Sequence, residues 1–208
     1  MESVSYAEMA LADLIDAFSS TDAVPGGGSA AAVAGAIGTS LLLMVAGLPK
    51  TKTGAPEETA DLAEASSRLH PIRDSLLELV DRDSHAYKQV MAAFRLTTES
   101  DSEKATRKQA IDWATRAATE APLDTMRACQ QALRGAVIVA SNGNRKTTSD
   151  VGVAVELLLA ALHGARMNVE INLSTLQDAA YAARVKTEVE ELERDAAADA
   201  ETARRALR

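Results

Sequence analysis

Aromatic residues and cysteine are scarce in this chain of 208 residues, which has one Trp, three Tyr, two Phe and a single cysteine, Cys129. One cysteine excludes an intrachain disulfide framework and a cysteine-rich zinc site. Hydrophobic residues make up 47% of the chain, and they are mostly Ala, Leu and Val rather than the β-branched and aromatic residues on which strands draw. The composition therefore favours helices, and the length fits a single domain covering residues 1–208.

A basic surface is also missing, since the formal net charge is −8. A general nucleic-acid binder needs basic groups to displace phosphate counterions, so we expect no nucleic-acid partner. The first fifteen residues contain three acidic residues and no basic one, which does not fit a signal peptide. With the single cysteine, these features predict a cytoplasmic protein.

One run without charged residues, positions 29–49, is long enough to cross a membrane. It lacks a basic cluster on its N-terminal side, an aromatic belt and a second span. A helix that other helices surround on all sides is equally apolar all round. We therefore expect a buried central helix and no membrane partner, with a membrane anchor as the alternative.

Prolines and capping residues divide the chain into helices. Ser100 with Glu103 and Ser174 with Gln177 have the spacing of capping boxes, and Pro122 is expected to open a new helix. Strand signals are nearly absent. The prediction is an all-α, up-and-down bundle with helices at about 6–18, 29–48, 58–94 (possible kink at Pro71), 100–119, 122–140, 149–172 and 174–205, the last of them charged.

Three consecutive glycines, Gly26, Gly27 and Gly28, stand directly before Ser29. A backbone without side chains can approach a ligand closely, and Ser29 can cap the helix that follows, whose N–H groups attract anions or polar atoms. The Gly-Lys-Ser/Thr ending of a phosphate P-loop is absent. A ligand-binding loop and a tightly packed turn both fit this motif.

A carboxylate lies on an apolar helix stripe in the third predicted helix. At 100° per residue the stripe comprises Ile72, Leu76, Val80, Asp83, Tyr87, Val90 and Phe94. A carboxylate in such a place must be paired with a charge, be hydrogen-bonded or have a raised pKa. Carboxylates in such surroundings are frequent catalytic acids and bases. A structural Asp bound to a neighbouring helix is the alternative.

Polar residues also mark both ends of the predicted helix 149–172. Asn144, Lys146 and Asp150 lie near its start, whereas Asn168 and Asn172 share one face at its end. Eighteen helical residues separate Asp150 from Asn168 by about 27 Å. The two groups therefore serve different sites, meet across a subunit boundary, or only cap helices. The three histidines lack metal-ligand spacing, and no metal site is expected.

Several segments together resemble the cyclodeaminase/cyclohydrolase family, which includes the C-terminal domain of formiminotransferase-cyclodeaminase and stand-alone methenyltetrahydrofolate cyclohydrolases. They appear in the family's order over about residues 6–178, and 179–208 form the charged terminal helix. The segments are Val-Pro-Gly-Gly-Gly-Ser-Ala at 24–30, Gly-Ala-Ile-Gly at 35–38, Met-Val-Ala-Gly-Leu at 44–48, Asp83 with Ala-Tyr at 86–87, Val-Met-Ala-Ala-Phe-Arg-Leu at 90–96, Glu-Ala-Pro-Leu at 120–123, Gly-Asn at 143–144, Ser-Asp-Val-Gly-Val at 149–153 and Gly-Ala-Arg-Met-Asn-Val-Glu-Ile-Asn-Leu at 164–173.

The resemblance implies a helical subunit that pairs as a homodimer and acts on a tetrahydrofolate derivative near the subunit boundary, without a permanently bound cofactor. It suggests Asp83 as electrostatic partner or general base, oriented by Tyr87. It also suggests Lys52 as a group that polarises the intermediate or holds a folate carboxylate. The implied substrate-binding residues are Gly26, Gly27, Gly28, Ser29, Lys50, Arg95, Asn144, Lys146, Asp150, Asn168 and Asn172.

The implied activity is the hydrolysis of 5,10-methenyltetrahydrofolate to 10-formyltetrahydrofolate. The alternative is a formiminotetrahydrofolate cyclodeaminase, which closes the same ring and releases ammonia. A second alternative is a helical dimer that binds folate or a protein partner without catalysis, because positions 49–53, 97–98 and Lys146 depart from the family's usual residues.

Overall fold

The computed structural model describes residues 5–208, which fold into six α-helices and two short 3-10 turns, with no strand in this range. The predicted all-α class is confirmed. The helices are α1 (Leu11–Ser19), α2 (Gly27–Ala46), α3 (Pro56–Phe94), α4 (Asp101–Asn142), α5 (Thr148–Leu173) and α6 (Ala179–Ala206).

The first helix is shorter than predicted. A 3-10 turn forms at Tyr6–Glu8, and α1 begins only at Leu11. Asp81 on α3 accepts hydrogen bonds from the hydroxyl of Ser5 and the backbone N–H of Tyr6, both at 2.6 Å. This tertiary anchor holds the start of the described chain in an irregular path, and local sequence patterns do not reveal it.

Of the two predicted capping boxes, one is confirmed. Ser100 Oγ accepts from the N–H of Glu103, and the Glu103 carboxylate accepts from the N–H of Ser100. The box at Ser174 is wrong, because α6 begins five residues later, where Asp178 accepts from the N–H of Tyr181 at 2.9 Å. A carboxylate next to a free helix N-terminus is the stronger cap here.

The start of α5 also differs from the prediction. The helix begins at Thr148, one residue before the predicted start at 149, since a 3-10 turn at Arg145–Thr147 leads directly into it. The side chain of Asn144 accepts from the N–H of Lys146 at 3.0 Å and so caps this turn.

A single helix, α4, replaces the two that were predicted to meet at Pro122. The helix continues through this proline, just as α3 continues through Pro71. Proline removes one donor from a helix interior and its ring crowds the preceding turn, but Pro122 is buried within a long helix whose neighbouring residues are also buried. Tertiary packing on both sides of the proline outweighs its local effect.

Small residues let α2 lie close to its neighbours α3, α4 and α5. A Cβ atom on Gly35 would be 3.0 Å from Cys129 Sγ on α4, and one on Gly38 would be 3.0 Å from the carbonyl oxygen of Ala154 on α5. Larger residues at these two positions would force the helices apart, because close-packed interiors leave no spare volume. Cys129 is fully buried in this contact.

The prediction that α2 is surrounded on all sides is wrong for the single chain. Half of its twenty residues are buried, but Ile37 and Met44 remain 47% and 46% exposed on its outer face. By length and composition, α2 (mean hydropathy 1.9) and Arg145–Leu173 (mean hydropathy 1.2) are each able to cross a membrane, so the expectation that a second candidate span is lacking is wrong. The core helix of a soluble protein meets the same criteria.

Candidate functional site

The carboxylate of Asp83 on α3 lies at the N-terminus of α2. Its Oδ2 accepts from the backbone N–H of Ser29 at 3.1 Å and lies 3.4 Å from the Ser29 hydroxyl. The N-cap residue Gly26 has no side chain to bind these first-turn N–H groups. Asp83 therefore serves as a cap supplied by another helix, and the positive end of the helix dipole favours its ionised form.

Ser29 is itself held in place by buried hydrogen bonds to α3. Its hydroxyl donates to the carbonyl of Val80 at 2.7 Å and lies 3.1 Å from the hydroxyl of Ser84. Both serines are buried. The hydrogen bonds to Asp83 come from this network rather than from Tyr87, which the sequence suggested as its orienting partner.

Burial raises the pKa of the Asp83 carboxyl above that of an exposed aspartate, and the N–H and hydroxyl of Ser29 partly oppose this shift. A half-buried carboxylate whose pKa is raised in this way is a stronger base than an exposed aspartate. The predicted placement of Asp83 on an apolar stripe is thus found in the structure, with a partner from α2.

Asp83 opens into a pocket of about 390 Å³ between the start of α2 and the helices α3, α4 and α5. Its walls combine apolar groups with uncharged polar ones, so Asp83 supplies the only charged side chain among the lining residues described. The lining residues are Ala23, Val24, Gly26, Gly27, Asp83, Tyr87, Val90, Phe94, Thr115, Ala118, Asn168, Ile171, Asn172 and Thr175.

The two asparagines predicted on one face of α5 both reach this pocket. Asn168 lies beside the glycine loop, since a Cβ atom on Gly27 would be 3.6 Å from its Nδ2, which donates to Gly164 on the same helix at 2.9 Å. Asn172 Nδ2 donates across to the carbonyl of Ala118 on α4 at 2.9 Å. Both amides thus have fixed positions in the pocket that contains Asp83.

A sequence profile described as Formiminotransferase-cyclodeaminase matches residues 10–191. The chain belongs to this family. It is 38% identical over 184 residues to the methenyltetrahydrofolate cyclohydrolase of Methylorubrum extorquens, and the match covers 88% of each chain. The sequence-based recognition of the family is therefore confirmed.

Other similar proteins are larger or more distant. The formimidoyltransferase-cyclodeaminase of Gallus gallus is 30% identical over 182 residues, and this chain spans about a third of that protein's length. The crystal structure of formiminotetrahydrofolate cyclodeaminase from Thermotoga maritima has a TM-score of 0.86, covers 96% of both chains and is 24% identical. This last similarity establishes the shared fold.

The remaining predicted site residues of this family member lie elsewhere in the single chain. Lys52 precedes α3, and Asp83 lies 27 residues into that helix, a separation of about 40 Å along its axis. The N–H of Lys52 donates to Asn142 at 2.8 Å, and its Nζ donates to the carbonyl of Ala206 at 3.2 Å. Lys52 therefore does not reach Asp83 within one subunit.

A second cavity of about 450 Å³ contains the Lys52 side of the predicted site. It is lined by Lys52, Ala140, Gly143, Arg145, Thr148, Ala206, Leu207 and Arg208. Lys50, Asn144, Lys146 and Asp150 belong to the neighbouring loops and the first turn of α5, at the opposite end of that helix from Asn168. Three of its lining side chains are basic, whereas the charged side chain of the Asp83 pocket is acidic.

Arg95 is exposed at the C-terminus of α3 and does not line the Asp83 pocket. The basic residue that touches the rim is Arg107, which sequence patterns did not single out. Its guanidinium donates twice to the carbonyl of Phe94, at 2.9 and 3.2 Å, and lies 5.7 Å from the centre of the Phe94 ring. Within residues 5–208, no three His, Cys, Asp or Glu side chains are grouped to hold a metal ion.

Proposed function

We propose that this protein is a methenyltetrahydrofolate cyclohydrolase, which hydrolyses 5,10-methenyltetrahydrofolate to 10-formyltetrahydrofolate. The observation that carries the proposal is the half-buried Asp83 carboxylate at the wall of a pocket otherwise lined by uncharged groups. The methenyl bridge is a delocalised cation between two nitrogens, and a carboxylate in a partly desolvated site attracts it more strongly than one in water.

In the proposed reaction a water molecule attacks the bridge carbon between N5 and N10. Asp83 accepts a proton from that water as its oxygen bonds to carbon, which gives a neutral tetrahedral intermediate. The bond from carbon to N5 then breaks as the hydroxyl of the intermediate releases its proton and becomes the formyl carbonyl. N5 takes up the proton held by Asp83, and the formyl group remains on N10. The sum is the addition of one water to the cation and the release of one proton, with Asp83 as the general base.

The neutral polar groups of the pocket suit the pterin ring. Asn168 and Asn172 present amide groups, and Thr115 and Thr175 present hydroxyls, beside the apolar side chains of Val90 and Phe94. Pockets for flat heteroaromatic ligands combine apolar walls with a few fixed hydrogen-bonding groups. These two asparagines are therefore assigned to substrate binding in the proposal.

Turnover assays test the activity directly. Purified protein is expected to remove the ultraviolet absorbance of methenyltetrahydrofolate faster than the uncatalysed hydrolysis, with formation of 10-formyltetrahydrofolate measured by chromatography. Saturating protein that accelerates neither this reaction nor ammonia release from formiminotetrahydrofolate would overturn the proposal. Tight folate binding by calorimetry without turnover would instead identify a non-catalytic folate-binding dimer.

Cyclodeaminase activity is the second candidate, because the chain is 30% identical to the chicken formimidoyltransferase-cyclodeaminase over 182 residues. In that reaction N10 attacks the formimino carbon on N5, and ammonia leaves from the tetrahedral intermediate. The same Asp83 would accept the N10 proton. Ammonia release from formiminotetrahydrofolate at a higher kcat/KM than methenyl hydrolysis would favour this candidate over the first.

The outer face of α2 supports a homodimer. This helix contains no charged residue, yet Ile37 and Met44 are about half exposed in the single chain. Val153 and Met167 on the adjacent helix α5 are also more than half exposed. We propose that a second copy of the chain covers this apolar surface, since exposed apolar faces of this kind mark subunit interfaces.

A two-fold dimer through α2 would also unite the two halves of the predicted site. The glycine loop and the Asp83 carboxylate lie at the start of α2, whereas Lys52 follows soon after the end of that helix. The helix is about 30 Å long. Two copies of α2 that pack antiparallel across a two-fold axis place the end of one helix beside the start of the other. The partner subunit's Lys52 then approaches the Asp83 pocket.

Mixing two inactive variants tests this arrangement. Asp83→Asn and Lys52→Ala are each expected to be inactive alone. After subunit exchange, mixed dimers contain one site with both native residues, so about a quarter of the wild-type activity should return at equal concentrations. No recovery in mixed dimers verified by mass spectrometry would show that Lys52 and Asp83 do not share a site across the interface.

The interface itself is tested by the mass of the protein in solution. Ile37→Glu is expected to convert a dimer into a monomer in light scattering, because it places a carboxylate in an apolar interface. Ala197→Glu, at an exposed position of α6, is the matched control and should remain dimeric. A soluble dimer without detergent is also the expected result for the cytoplasmic location that we propose.

A further inference from the structure

Pro122 leaves one carbonyl of α4 without its usual helical partner. It lies inside the helix and is buried. Because proline has no backbone N–H, the carbonyl of Ala118, four residues earlier, cannot accept the intrahelical hydrogen bond, and the proline ring pushes that carbonyl away from the helix axis. A buried carbonyl of this kind requires another donor.

The donor is the side-chain amide of Asn172 on α5, whose Nδ2 lies 2.9 Å from the Ala118 oxygen. A carbonyl oxygen only accepts, so the amide has to present its nitrogen to α4. Its oxygen is then the group directed away from Ala118. Both Ala118 and Asn172 line the pocket that contains Asp83, and the orientation of this amide is therefore fixed at the proposed substrate site.

Asn168, the other asparagine in the pocket, has a hydrogen bond of a different kind. Its Nδ2 donates to Gly164 within its own helix, in the same pocket. The Asn172 bond instead crosses between two helices and depends on a carbonyl that only a proline four residues later leaves free.

We propose that Pro122 is a positioning residue for the substrate. It frees the Ala118 carbonyl, which holds the Asn172 amide so that Oδ1 accepts a hydrogen bond from an N–H group of the bound pterin. Pro122 has no contact with the substrate in this proposal and acts through Asn172 alone. The identity of the ligand rests on the proposed function, whereas the orientation of the amide does not.

Pro122→Ala tests the proposal, since an alanine N–H restores the intrahelical bond to Ala118. The thermal midpoint is expected not to fall, because alanine suits a helix interior better than proline. The released amide should raise KM for methenyltetrahydrofolate about three- to tenfold, the range for one neutral hydrogen bond, with a smaller effect on kcat. Pro71→Ala is the matched control, because it removes the helix-interior proline of α3, outside the Asp83 pocket, and it should leave KM unchanged.

A double-mutant cycle separates a positioning role from a merely structural one. If Pro122 acts through Asn172, adding Pro122→Ala to Asn172→Ala should change KM no further. Effects that multiply, or a Pro122→Ala variant with wild-type KM, would overturn the proposal. Should Pro122→Ala fail to fold, Pro122→Ser replaces it in the test, because its backbone N–H also restores the intrahelical bond to Ala118 and should raise KM similarly.

The amide can also be observed without an activity assay. In nuclear magnetic resonance spectra of ¹⁵N-labelled protein, the side-chain NH₂ signal of Asn172 is assigned as the one present in the wild type and missing from the Asn172→Ala variant. This signal should exchange slowly with solvent in the wild type and at least tenfold faster in Pro122→Ala. Equal exchange rates of this NH₂ group in the wild type and in Pro122→Ala would refute the orientation by Pro122, even if no folate were turned over. If exchange is faster in Pro122→Ala but the wild-type protein turns over no folate, only the proposed function is contradicted.

Discussion

The carboxylate of Asp83 lies directly against the backbone of Gly28. A Cβ atom on Gly28 would be 2.5 Å from Asp83 Cγ, well inside van der Waals contact. The glycine is therefore required by the position of the carboxylate rather than by an unusual backbone angle. Since Asp83 also binds the N–H of the next residue, Ser29, two consecutive residues define its place.

Gly28→Ala is expected to displace Asp83 and to lower kcat/KM about a hundredfold, as misplacement of a reacting group by about 1 Å can do. Overpacking should also destabilise the fold by about 1–3 kcal/mol. Steady-state kinetics and urea unfolding measure the two effects. Wild-type kinetics in this variant would show that the contact has no role in the reaction.

Gly152→Ala is expected to stabilise the protein, in contrast to Gly28→Ala. No atom lies within 4 Å of a Cβ placed on this residue of α5. Alanine should therefore stabilise the protein by about 0.5–1 kcal/mol through its lower conformational entropy in the unfolded chain. A loss of stability in urea unfolding would mean that an additional surface, such as a second subunit, covers this position.

Asp83→Asn should separate activity from stability. The folded pKa of Asp83 lies above its unfolded value of 3.8 because burial disfavours the charged form. Its stabilising contribution is therefore complete below pH 3.8 and is lost as the pH rises through the folded pKa. The variant should unfold at an equal or higher temperature at pH 7 but react about 10²- to 10⁴-fold more slowly.

The pH profile of the wild type reports the same carboxyl. Because Asp83 acts as a base, kcat/KM should fall on acidification, with a midpoint above the ordinary value of 3.8. The measurement is kcat/KM for the methenyl substrate in buffers of constant ionic strength. A rate that stays level down to pH 3.8 would remove Asp83 from the role of base.

Glu58 organises the loop that contains Lys52. Its carboxylate accepts from the hydroxyl of Thr51 at 2.6 Å and from the N–H of Thr53 at 2.9 Å, and such bonds lower its pKa from 4.5 to about 2. The associated stability is complete above pH 4.5 and is lost as the pH falls towards 2.

Glu58→Gln should therefore lower the thermal midpoint at pH 7, and the difference from the wild type should shrink as the pH falls from 4.5 to about 2. Differential scanning calorimetry across this range makes the comparison. A difference that does not depend on pH would assign the effect of the substitution to altered packing rather than to the charge.

Helical periodicity was enough to predict one half of the site. Asp83, Tyr87, Val90 and Phe94 share a stripe because α3 is regular, and that stripe forms one wall of the pocket. Asn168 and Asn172 were likewise placed together by their spacing of four. These predictions needed only the geometry of a single helix.

Relationships between helices were beyond such patterns. Pro122 was expected to begin a new helix, because sequence patterns do not show that Asn172, fifty-four positions after Ala118, satisfies the carbonyl that this proline frees. Lys52 was grouped with Asp83 on family resemblance, although the length of α3 separates them in one chain. Asp178 replaced Ser174 as the cap of α6, and its ion pair with Arg116 is a tertiary contact.

Burial of the single thiol makes the protein convenient for site-directed labelling. Cys129 is wholly enclosed, and burial raises its pKa to about 12, so it stays unreactive towards maleimides and similar reagents at neutral pH. A cysteine introduced at an exposed position would thus carry the only spin label or fluorophore. In the proposed dimer, two such probes, one on each copy at the exposed position 197 of α6, would report the separation of the subunits by pulsed electron paramagnetic resonance.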